Sequence, residues 1–409
     1  LAATMVWGSQ QLHLSKEAQY DGIVGMWYGK GPGVDRCGDV FKHANAAGSA
    51  PYGGVLCVAG DDHGAKSSTV PHQSDHAFMS STMPVLYPSS IHEYIWMGLA
   101  GLAMSRYSGC WVGFKVISET VETTAAVNLQ DEDVEFIIPE DFEIPEGGLN
   151  LRWPDDRMLQ DSRLQNHKGY AALAFARANG FNRVTLASPK ARFGIVASGK
   201  SYEETRQAIH ELGLTDEQAA QLGVSIYKVG MPWPLEPHGI REFSEGLEEI
   251  LIVEERREMI ENQIKQQLFN WATHERPRII GKFDESDQSL LPLDKELDVP
   301  MVAKVIAQRL LKLDIDTDTK VHLLAQIARI DQHSATSSAI LAPVARTPFY
   351  CAGCPHNSST KVPEGSRAAA GIGCHFMVQW MDRNTETFSQ MGGEGAMWAG
   401  CAHFTKEAH

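Results

Sequence analysis

Short apolar runs alternate with helical repeats along this chain, and this alternation restricts its fold more than any other feature. In the first 125 residues the runs at 23–28, 55–59, 85–87 and 111–117 are rich in β-branched and aromatic side chains. Between the last two runs, Ile91, Ile95, Leu99 and Leu102 recur at helical spacing. Such strand–helix alternation predicts an α/β protein with a parallel sheet covered on both faces.

A second α/β pattern begins near residue 192. Strands are predicted at 193–197, 224–229 and 249–254, with helices at 202–212 and 259–269, and residues 298–332 carry two amphipathic helical patterns. Residues 126–170 are acidic and proline-rich and lead into a predicted helix at 167–179. The predicted organisation is a domain at 1–125, a connector at 126–190, a second α/β domain at 191–285, a helical linker at 286–344, and a third unit that opens at 345 and is unfinished at 409.

Three cysteines near the end of the chain have a spacing that is typical of metal sites. Cys351 and Cys354 are separated by two residues, and Cys374 follows twenty residues later. Three such thiolates can bind one 4Fe–4S cluster, which takes four cysteines. Zinc uses the same half-site, and buried inert thiols are the third reading. The spacing does not separate the two metals, and the fourth ligand is not identified, since Cys401 is the only other cysteine nearby.

A polar segment follows the second predicted strand. It begins at Asp61-Asp62-His63 and continues through residues 71–76. It therefore contains three aspartates and three histidines within sixteen residues. Its plainest interpretation is a solvated loop with an Asx turn. The spacing of its histidines matches no zincin-type metal motif. From the residues alone, a binding role for this loop stays open.

Composition excludes some classes of function. The net charge is −15, from 36 basic and 51 acidic residues, which argues against a nucleic-acid partner because such binding needs phosphate neutralisation. Apolar runs are interrupted well before 18 residues, so no transmembrane helix is predicted. Seven cysteines, three of them clustered, indicate reduced thiols in the cytoplasm rather than a disulfide framework.

Two long stretches of the sequence together resemble one enzyme family. Residues 351–357, 361–367, 371–375 and 391–395 form the first, and residues 59–68, 71–76 and 84–88 form the second. Both resemble the single-chain indolepyruvate ferredoxin oxidoreductases, which are thiamine-diphosphate-dependent 2-oxoacid:acceptor oxidoreductases. The resemblance runs through most of the chain and is weakest between about 125 and 190.

The resemblance implies a fold and an activity. The fold would consist of thiamine-diphosphate-binding-type parallel sheet domains flanking a transketolase-C-like α/β domain, truncated at both ends. Residues 1–125 would be the pyrimidine-type domain without its N-terminal part, 191–285 the transketolase-C-like domain, and 345–409 the start of the diphosphate-type domain. The activity would be oxidative decarboxylation of aryl 2-oxoacids, such as indolepyruvate and phenylpyruvate, to acyl-CoA. Electrons would pass through a 4Fe–4S cluster to ferredoxin, and the enzyme would be a homo-oligomer.

The resemblance also implies roles for individual residues. The cluster ligands would be Cys351, Cys354 and Cys374. Arg36 and Lys66 would bind the substrate, and His63 and Lys66 are the candidates for catalysis. For His356 and Arg367 a structural role is an equal alternative to contact with the diphosphate. The implied cofactor-binding residues are Asp61, Asp62, His63, Ser67, Gln73, Asp75, His356 and Arg367.

Two parts of a thiamine site are not found in the sequence. There is no Gly-Asp-Gly anchor for Mg²⁺ and the diphosphate, and Gly393-Glu394-Gly395 resembles a motif that lies before that anchor. The anchor is expected beyond residue 409, and the glutamate that contacts the aminopyrimidine is expected before Leu1. The chain also starts without a methionine or a signal peptide. We therefore expect an internal piece of a longer protein that is inactive by itself.

Two other functions fit the same residues. A non-oxidative thiamine-dependent decarboxylase or transketolase-like enzyme would not need the cysteines, and absence of iron would favour it. A non-catalytic zinc-binding scaffold would be favoured by one equivalent of zinc.

Overall fold

The computed structural model describes residues 1–66, 68–127, 134–339 and 347–406, without the side chains of 337–339. Its described residues divide into two compact units, 1–64 with 72–333 and 65–71 with 334–406. The α/β class with parallel sheets that the sequence predicts is confirmed. The boundaries of the five predicted segments stay predictions.

The first sheet of the larger unit contains four parallel strands in the order β1-β2-β4-β3. Helix α5 packs on one face of this sheet with Met97, Ala100 and Met104. Trp27, Phe41 and Phe78 fill the other face, so the predicted two-sided cover is confirmed. The elements are α1 (Ala2–Ser9), a 3₁₀ turn (Leu12–Leu14), β1 (Val24–Lys30), α2 (Gly31–Arg36), α3 (Gly38–Ala47), β2 (Gly54–Asp61), α4 (Asp75–Ser80), β3 (Val85–Leu86), α5 (Ile91–Ser108), β4 (Val112–Ile117) and α6 (Ser118–Val121).

The predicted connector contains three helical stretches, and the last of them belongs to this first core. They are α7 (Arg157–Arg163), one π-helical stretch (Leu164–Lys168) and α8 (Gly169–Ala178). Ala172, Phe175 and Ala176 of α8 are buried in the same hydrophobic cluster as α5, so this helix covers the first sheet. The acidic residues 131–133 of the connector lie outside the described residues.

The second sheet has five strands in the order β5-β7-β6-β8-β9. All neighbours are parallel except β5, which runs antiparallel to β7. The sequence did not predict β5, because Arg183 and Val184 are solvent-exposed there and the strand has no apolar run. The elements are β5 (Asn182–Leu186), β6 (Phe193–Ser198), α9 (Lys200–Glu211), α10 (Asp216–Gln221), β7 (Val224–Val229), α11 (Pro237–Ser244), β8 (Glu249–Val253), α12 (Ile260–Leu268), β9 (Arg278–Ile280), α13 (Val299–Leu310) and α14 (Thr317–Ala339).

The helices predicted as a linker contribute to the second core. Val302, Ala303 and Ile306 of α13 are fully buried in the cluster that contains Phe193 and Ile195 of β6. A helix with a fully buried apolar face is held by tertiary packing rather than by its own propensity. α13 is therefore one of the layers of the second sheet.

The smaller unit has little regular structure. Its strands β10 and β11 form a parallel pair, and its buried residues Tyr350, Ala370 and Val378 form a small cluster. The elements are α15 (His356–Ser359), β10 (Ala368–Ala370), a 3₁₀ segment (Gly373–Trp380), β11 (Thr385–Phe388), α16 (Ala396–Cys401) and a 3₁₀ turn (Ala402–Phe404).

Across the described residues, the helices include none with the length and apolar character that crossing a membrane requires.

Candidate functional site

The carboxyl ends of the first sheet's strands carry a buried charge cluster. Asp61 ends β2, Asp75 begins α4, and Lys115 projects from β4, and each side chain is at most 4% exposed. The Lys115 Nζ lies 2.6 Å from the Asp75 carboxylate and 3.9 Å from that of Asp61. Burial by itself would lower the pKa of Lys115, but the two carboxylates outweigh it and hold that pKa above its usual value. Lys115 is therefore charged, with two acidic partners.

A second group of charges lies at the carboxyl ends of β6 and β8. These adjacent strands flank the point where the strand order of the second sheet reverses, which is where open α/β sheets bind ligands. The Lys200 Nζ, just after β6, lies 2.6 Å from Glu204 and 3.1 Å from Glu255, just after β8. At the start of α12, the backbone N–H groups of residues 259, 260 and 261 donate hydrogen bonds to the carboxylate of Glu254. Burial nevertheless raises the pKa of Glu254 to about 7.

The two sheet edges meet inside the larger unit. The backbone N–H of Val85 donates to the Trp233 carbonyl at 2.7 Å, and that of Tyr87 donates to the Gly230 carbonyl at 2.9 Å. Between the edges is a cavity of about 20 Å³, which has room for about one water molecule. It does not have room for a thiamine ring or an aryl 2-oxoacid. The lining residues are Gln73, Asp75, Tyr87, Lys115, Ser198, Pro232, Glu254, Glu255, Met259 and Ile260.

His63 is buried near these charges as a neutral imidazole. It is 2% exposed, and neither ring nitrogen has a hydrogen-bond partner among the described residues. Burial lowers its pKa well below the usual value, and the nearby cations Lys115, Lys200 and Arg256 lower it further. His63 is one of the predicted catalytic candidates, and both of its ring nitrogens remain able to form hydrogen bonds.

The structure separates several of the other predicted residues. Asp75 lies in the charge cluster, and Gln73 bonds instead to both backbone groups of Arg257. Asp62 is buried and its carbonyl accepts from the His72 N–H. Arg36 is exposed at the end of α2, and Lys66 is exposed in the smaller unit. Ser67 lies outside the described residues.

Sequence reasoning missed Lys115, Lys200, Glu204, Glu254 and Glu255. The available signal was a charge inside or directly after an apolar strand, as in the β4 sequence Val-Gly-Phe-Lys-Val-Ile. Charged residues are almost never fully buried unless they are paired, so these positions predict buried partners from elsewhere in the chain.

Glu204 predicts a pH dependence of stability. Burial raises its pKa from 4.5 to about 8, and its Oε2 has no hydrogen-bond partner among the described residues. A carboxyl group whose folded-state pKa is raised stabilises the fold fully below pH 4.5, and this contribution is lost as the pH rises through about 8. Glutamine does not titrate, so Glu204→Gln should not lose this contribution. Between pH 5.5 and pH 8.5, the free energy of unfolding of Glu204→Gln should therefore rise by about 1–3 kcal/mol relative to that of the wild type, as measured by urea unfolding.

The control for this prediction is Glu242→Gln, which makes the same exchange at an exposed position of α11. Its difference from the wild type should be the same at both pH values. If Glu204→Gln behaves like Glu242→Gln, Glu204 is ionised in the folded protein and the prediction is wrong.

The predicted metal ligands lie in the smaller unit. The N–H of Cys354 donates to the Cys351 carbonyl at 3.1 Å, and Gly353, with φ of +77°, closes this turn in the left-handed conformation that glycine favours. Cys351 and Cys374 are exposed, Cys354 is half-buried, and all three are free thiols. Both Cys354 and Cys374 lie close enough to Tyr350 to raise its pKa, although burial is the larger cause.

This donor set has the chemistry that a cluster requires, because free and accessible thiols on a tight turn can bind iron. The structure places Cys351 and Cys354 on one hydrogen-bonded turn. However, the described residues contain no group of three or more His, Cys, Asp or Glu placed to hold a metal ion. Ligation by all three cysteines therefore stays a prediction.

Other residues that the sequence singled out in this unit have protein partners. The Nδ1 of His356 lies 3.3 Å from the Cys354 sulfur, and Arg367 lies 3.6 Å from Glu386. Glu394 accepts from the N–H of Gly392 at 2.8 Å, within its own loop. The Cys401 thiol lies 3.4 Å from the Trp398 carbonyl on α16.

Comparison with known proteins finds similarity to indolepyruvate oxidoreductases. Residues 182–340 match the indolepyruvate ferredoxin oxidoreductase middle domain. The indolepyruvate oxidoreductase subunit IorA of Thermococcus kodakarensis is 26% identical over 374 residues, 88% of this chain and 52% of that protein. IorA of Pyrococcus abyssi is 26% identical over 352 residues, 84% of this chain and 49% of that protein. The chain spans about half the length of these curated relatives.

Two solved structures are also similar. The 2-oxoglutarate:ferredoxin oxidoreductase from Magnetococcus marinus aligns with a TM-score of 0.49 and 13% identity, over 75% of this chain and 55% of that chain. A split-gene transketolase aligns with a TM-score of 0.43 and 12% identity, over 77% and 83% of the two chains. The matched middle domain and the IorA relatives together support a protein that is similar to the indolepyruvate ferredoxin oxidoreductases.

Proposed function

We propose that this chain is part of a 2-oxoacid:ferredoxin oxidoreductase that acts on aryl 2-oxoacids such as indolepyruvate and phenylpyruvate. The observation that carries the proposal is the Cys351–Cys354 turn, with its free thiols beside His356. The names of the relatives support the same reaction class. A protein that passes electrons to ferredoxin needs a one-electron carrier, and a thiolate-bound cluster is such a carrier.

Cys351, Cys354 and Cys374 would hold the cluster as thiolates. When bound, a 4Fe–4S cluster accepts and releases single electrons. The chain itself presents two of the thiols from one hydrogen-bonded turn. The half-buried Cys354 packs against the small hydrophobic cluster that contains Tyr350 and Val378, and this contact holds the turn in place.

In the complete enzyme, residues that the family resemblance implies would bind the reacting molecules. Arg36 and Lys66, both exposed, supply cations that can bind a substrate carboxylate. His63 would contribute a neutral donor and acceptor. Thiamine diphosphate with Mg²⁺, coenzyme A, a homo-oligomeric state and a cytoplasmic location belong to this proposal through the family resemblance.

The proposal predicts iron that depends on three cysteines. The complete protein, purified without oxygen, should contain about four irons per cluster site. The variant with Cys351, Cys354 and Cys374 all replaced by alanine should lose this iron and the visible absorption that accompanies it. Metal analysis and absorption spectroscopy measure both.

Cys37→Ala is the control, because Cys37 is a free, half-buried thiol of the larger unit and its replacement should leave the iron content unchanged. Iron that persists in the triple variant would refute the ligand assignment. One equivalent of zinc in place of iron would favour the scaffold function over the oxidoreductase.

A further inference from the structure

We propose that the exposed face of strand β1 and the exposed side of helix α5 form a self-complementary interface with a second copy of this chain. In this arrangement the α5 helix of each copy covers the β1 strand of the other. The inference rests on the proposed function only in its homo-oligomeric state. Its evidence lies in described residues of the larger unit and involves neither the cysteines nor thiamine diphosphate.

Strand β1 has an apolar face that no described residue covers. It is an edge strand, and its side chains alternate between the two sides of the sheet. Trp27 points into the hydrophobic cluster on one side. On the other side Val24, Met26 and Tyr28 are 51%, 57% and 80% exposed, and these three side chains are named the β1 face. Parallel sheets are normally covered on both sides, so this face is expected to have a partner.

The β1 face lies on the side of the sheet that carries α5. Met26 pairs in register with Leu56 of β2, and residues in register point to the same side of a sheet. Leu56 is buried in the cluster that α5 forms with the central strands, whereas Trp27 pairs with Cys57 in the cluster on the opposite side. Helix α5 therefore covers β2, and the position next to it, above β1, is open.

Helix α5 presents apolar side chains next to this open position. Ile95 and Leu99 are 47% and 46% exposed, and they are named the α5 ridge. Arg106 follows Leu99 by seven residues and so lies on the same side of the helix. Its Nε donates to the carbonyl of Gly53 at 3.1 Å, and Gly53 adjoins Ile23 at the start of β1. The ridge therefore lies on the side of α5 that is nearer to β1.

A glycine in the middle of α5 also indicates a close approach. Glycine stabilises a helix less than alanine does, so an interior glycine usually has a packing reason. Gly101 has one within the chain, because a Cβ there would lie 2.8 Å from Leu56. A Cβ at Gly98 would meet no atom within 4 Å. Gly98 lies between the two residues of the α5 ridge, and close passage of a second α5 helix supplies the reason that the single chain lacks.

The exposed area is sufficient for a dimer. The five side chains of the β1 face and the α5 ridge together expose roughly 500 Å², since a large side chain offers about 150–250 Å² when fully exposed. The largest apolar patch on an ordinary monomer measures about 300–600 Å². A two-fold interface buries the patch on both copies, so about 1,000 Å² would be buried before any polar rim is counted, and a specific interface begins at about that total.

A second copy fits because the two halves of the patch are complementary in shape. In a two-fold dimer every contact between different residues occurs twice. The β1 face of each copy then packs on the α5 ridge of the other, and the two α5 helices pass each other at Gly98. A helix packed on this side of the sheet is the arrangement that the chain already uses between α5 and β2.

The test is sedimentation equilibrium of the complete protein and its variants. Met26→Glu places a carboxylate on the β1 face, and Leu99→Lys places an ammonium group on the α5 ridge. Each variant alone should raise the Kd of the dimer about 100-fold or more, because a charge is buried without a partner. An equimolar mixture of the two variants should associate again, since the opposite charges meet across the interface. This recovery distinguishes a lost contact from a failure to fold.

Gly98→Leu provides a second test without any charge. Leucine should raise the Kd by a similar factor, because its side chain blocks the close passage of the two helices. The free energy of unfolding of the monomer should not fall, since the side chain meets no atom of its own chain and leucine is the better helix former. Met158→Glu and Leu159→Lys make the same exchanges as the first pair at exposed positions of α7, and both should leave the Kd unchanged.

Three results would overturn the inference. The first is a complete protein that is monomeric at micromolar concentration. The second is an oligomer that both Met26→Glu and Gly98→Leu leave intact. The third is a loss of folding stability in Met26→Glu without dissociation, because another part of the same chain would then cover the β1 face. The iron content is independent of all three, so a dimer that responds as expected but contains no iron would refute the proposed reaction and leave this interface in place.

Discussion

Replacing Lys115 by methionine should destabilise the larger unit by about 3–5 kcal/mol, because it leaves two buried carboxylates without their cation. Lys115 is 3% exposed, and its Nζ lies 2.6 Å from Asp75 and 3.9 Å from Asp61. Methionine fills a similar volume, so the loss would come from the uncompensated charges rather than from a cavity. The free energy of unfolding, measured by urea titration, is the readout.

A matched ion pair on the surface provides the control. The Lys304 Nζ and the Asp331 carboxylate are also 2.6 Å apart, but their side chains are 36% and 54% exposed. Lys304→Met should therefore change stability by less than about 1 kcal/mol. Adding Asp75→Asn to Lys115→Met should recover part of the loss, because one of the unpaired charges is removed. Equal effects of Lys115→Met and Lys304→Met would contradict the assignment of Lys115 as a buried counter-ion.

Replacing Gly199 by alanine should cost about 3–5 kcal/mol, as the sum of backbone strain and overpacking. Gly199 has φ of +52° and ψ of −133°, a conformation that residues with a Cβ rarely adopt. A Cβ at this position would lie 2.1 Å from the ring of Tyr87. That ring is 4% exposed and has the Lys115 ammonium 4.6 Å from its centroid, so it cannot move away freely. The loss should appear as a lower free energy of unfolding.

Gly246→Ala separates the two causes. Gly246 also has a positive φ, of +72°, but a Cβ there would meet no atom within 4 Å. Its variant should lose only the strain contribution, about 1–2 kcal/mol. If Gly199→Ala costs no more than Gly246→Ala, the ring of Tyr87 does not restrict this position.

The predicted elements were confirmed where apolar periodicity was strong. The strands β2, β4, β6, β7 and β8 and the helix α5 lie where the runs and repeats predict them, because a strand buried on both faces consists mostly of apolar residues. β5 was missed because its first residues are exposed. The sequence did not predict that α13 packs in the second core, since an amphipathic repeat does not reveal which surface its apolar face covers.

The candidate sites also combine features that the local sequence predicts with features that depend on the fold. The turn at Cys351 and Cys354 could be predicted from the sequence, because two cysteines and an intervening glycine are local features. The partners Asp75 of Lys115 and Glu255 of Lys200 could not, because each ion pair joins residues that are far apart in sequence and that the sheet topology brings together. The contact between His356 and Cys354 spans only two residues, yet the stacking of Tyr350 that supports it depends on the fold of the smaller unit.

The sequence by itself determined the α/β class, most of the central strands and the cysteine turn, because burial patterns and short-range turn chemistry depend on neighbouring residues. Tertiary structure alone decided which charges are buried together at the carboxyl ends of the two sheets. The physical reason is that the pKa of a buried group depends on desolvation and on charges within a few ångströms, and residues such as Asp75 and Lys115, forty positions apart, come that close only in the folded chain.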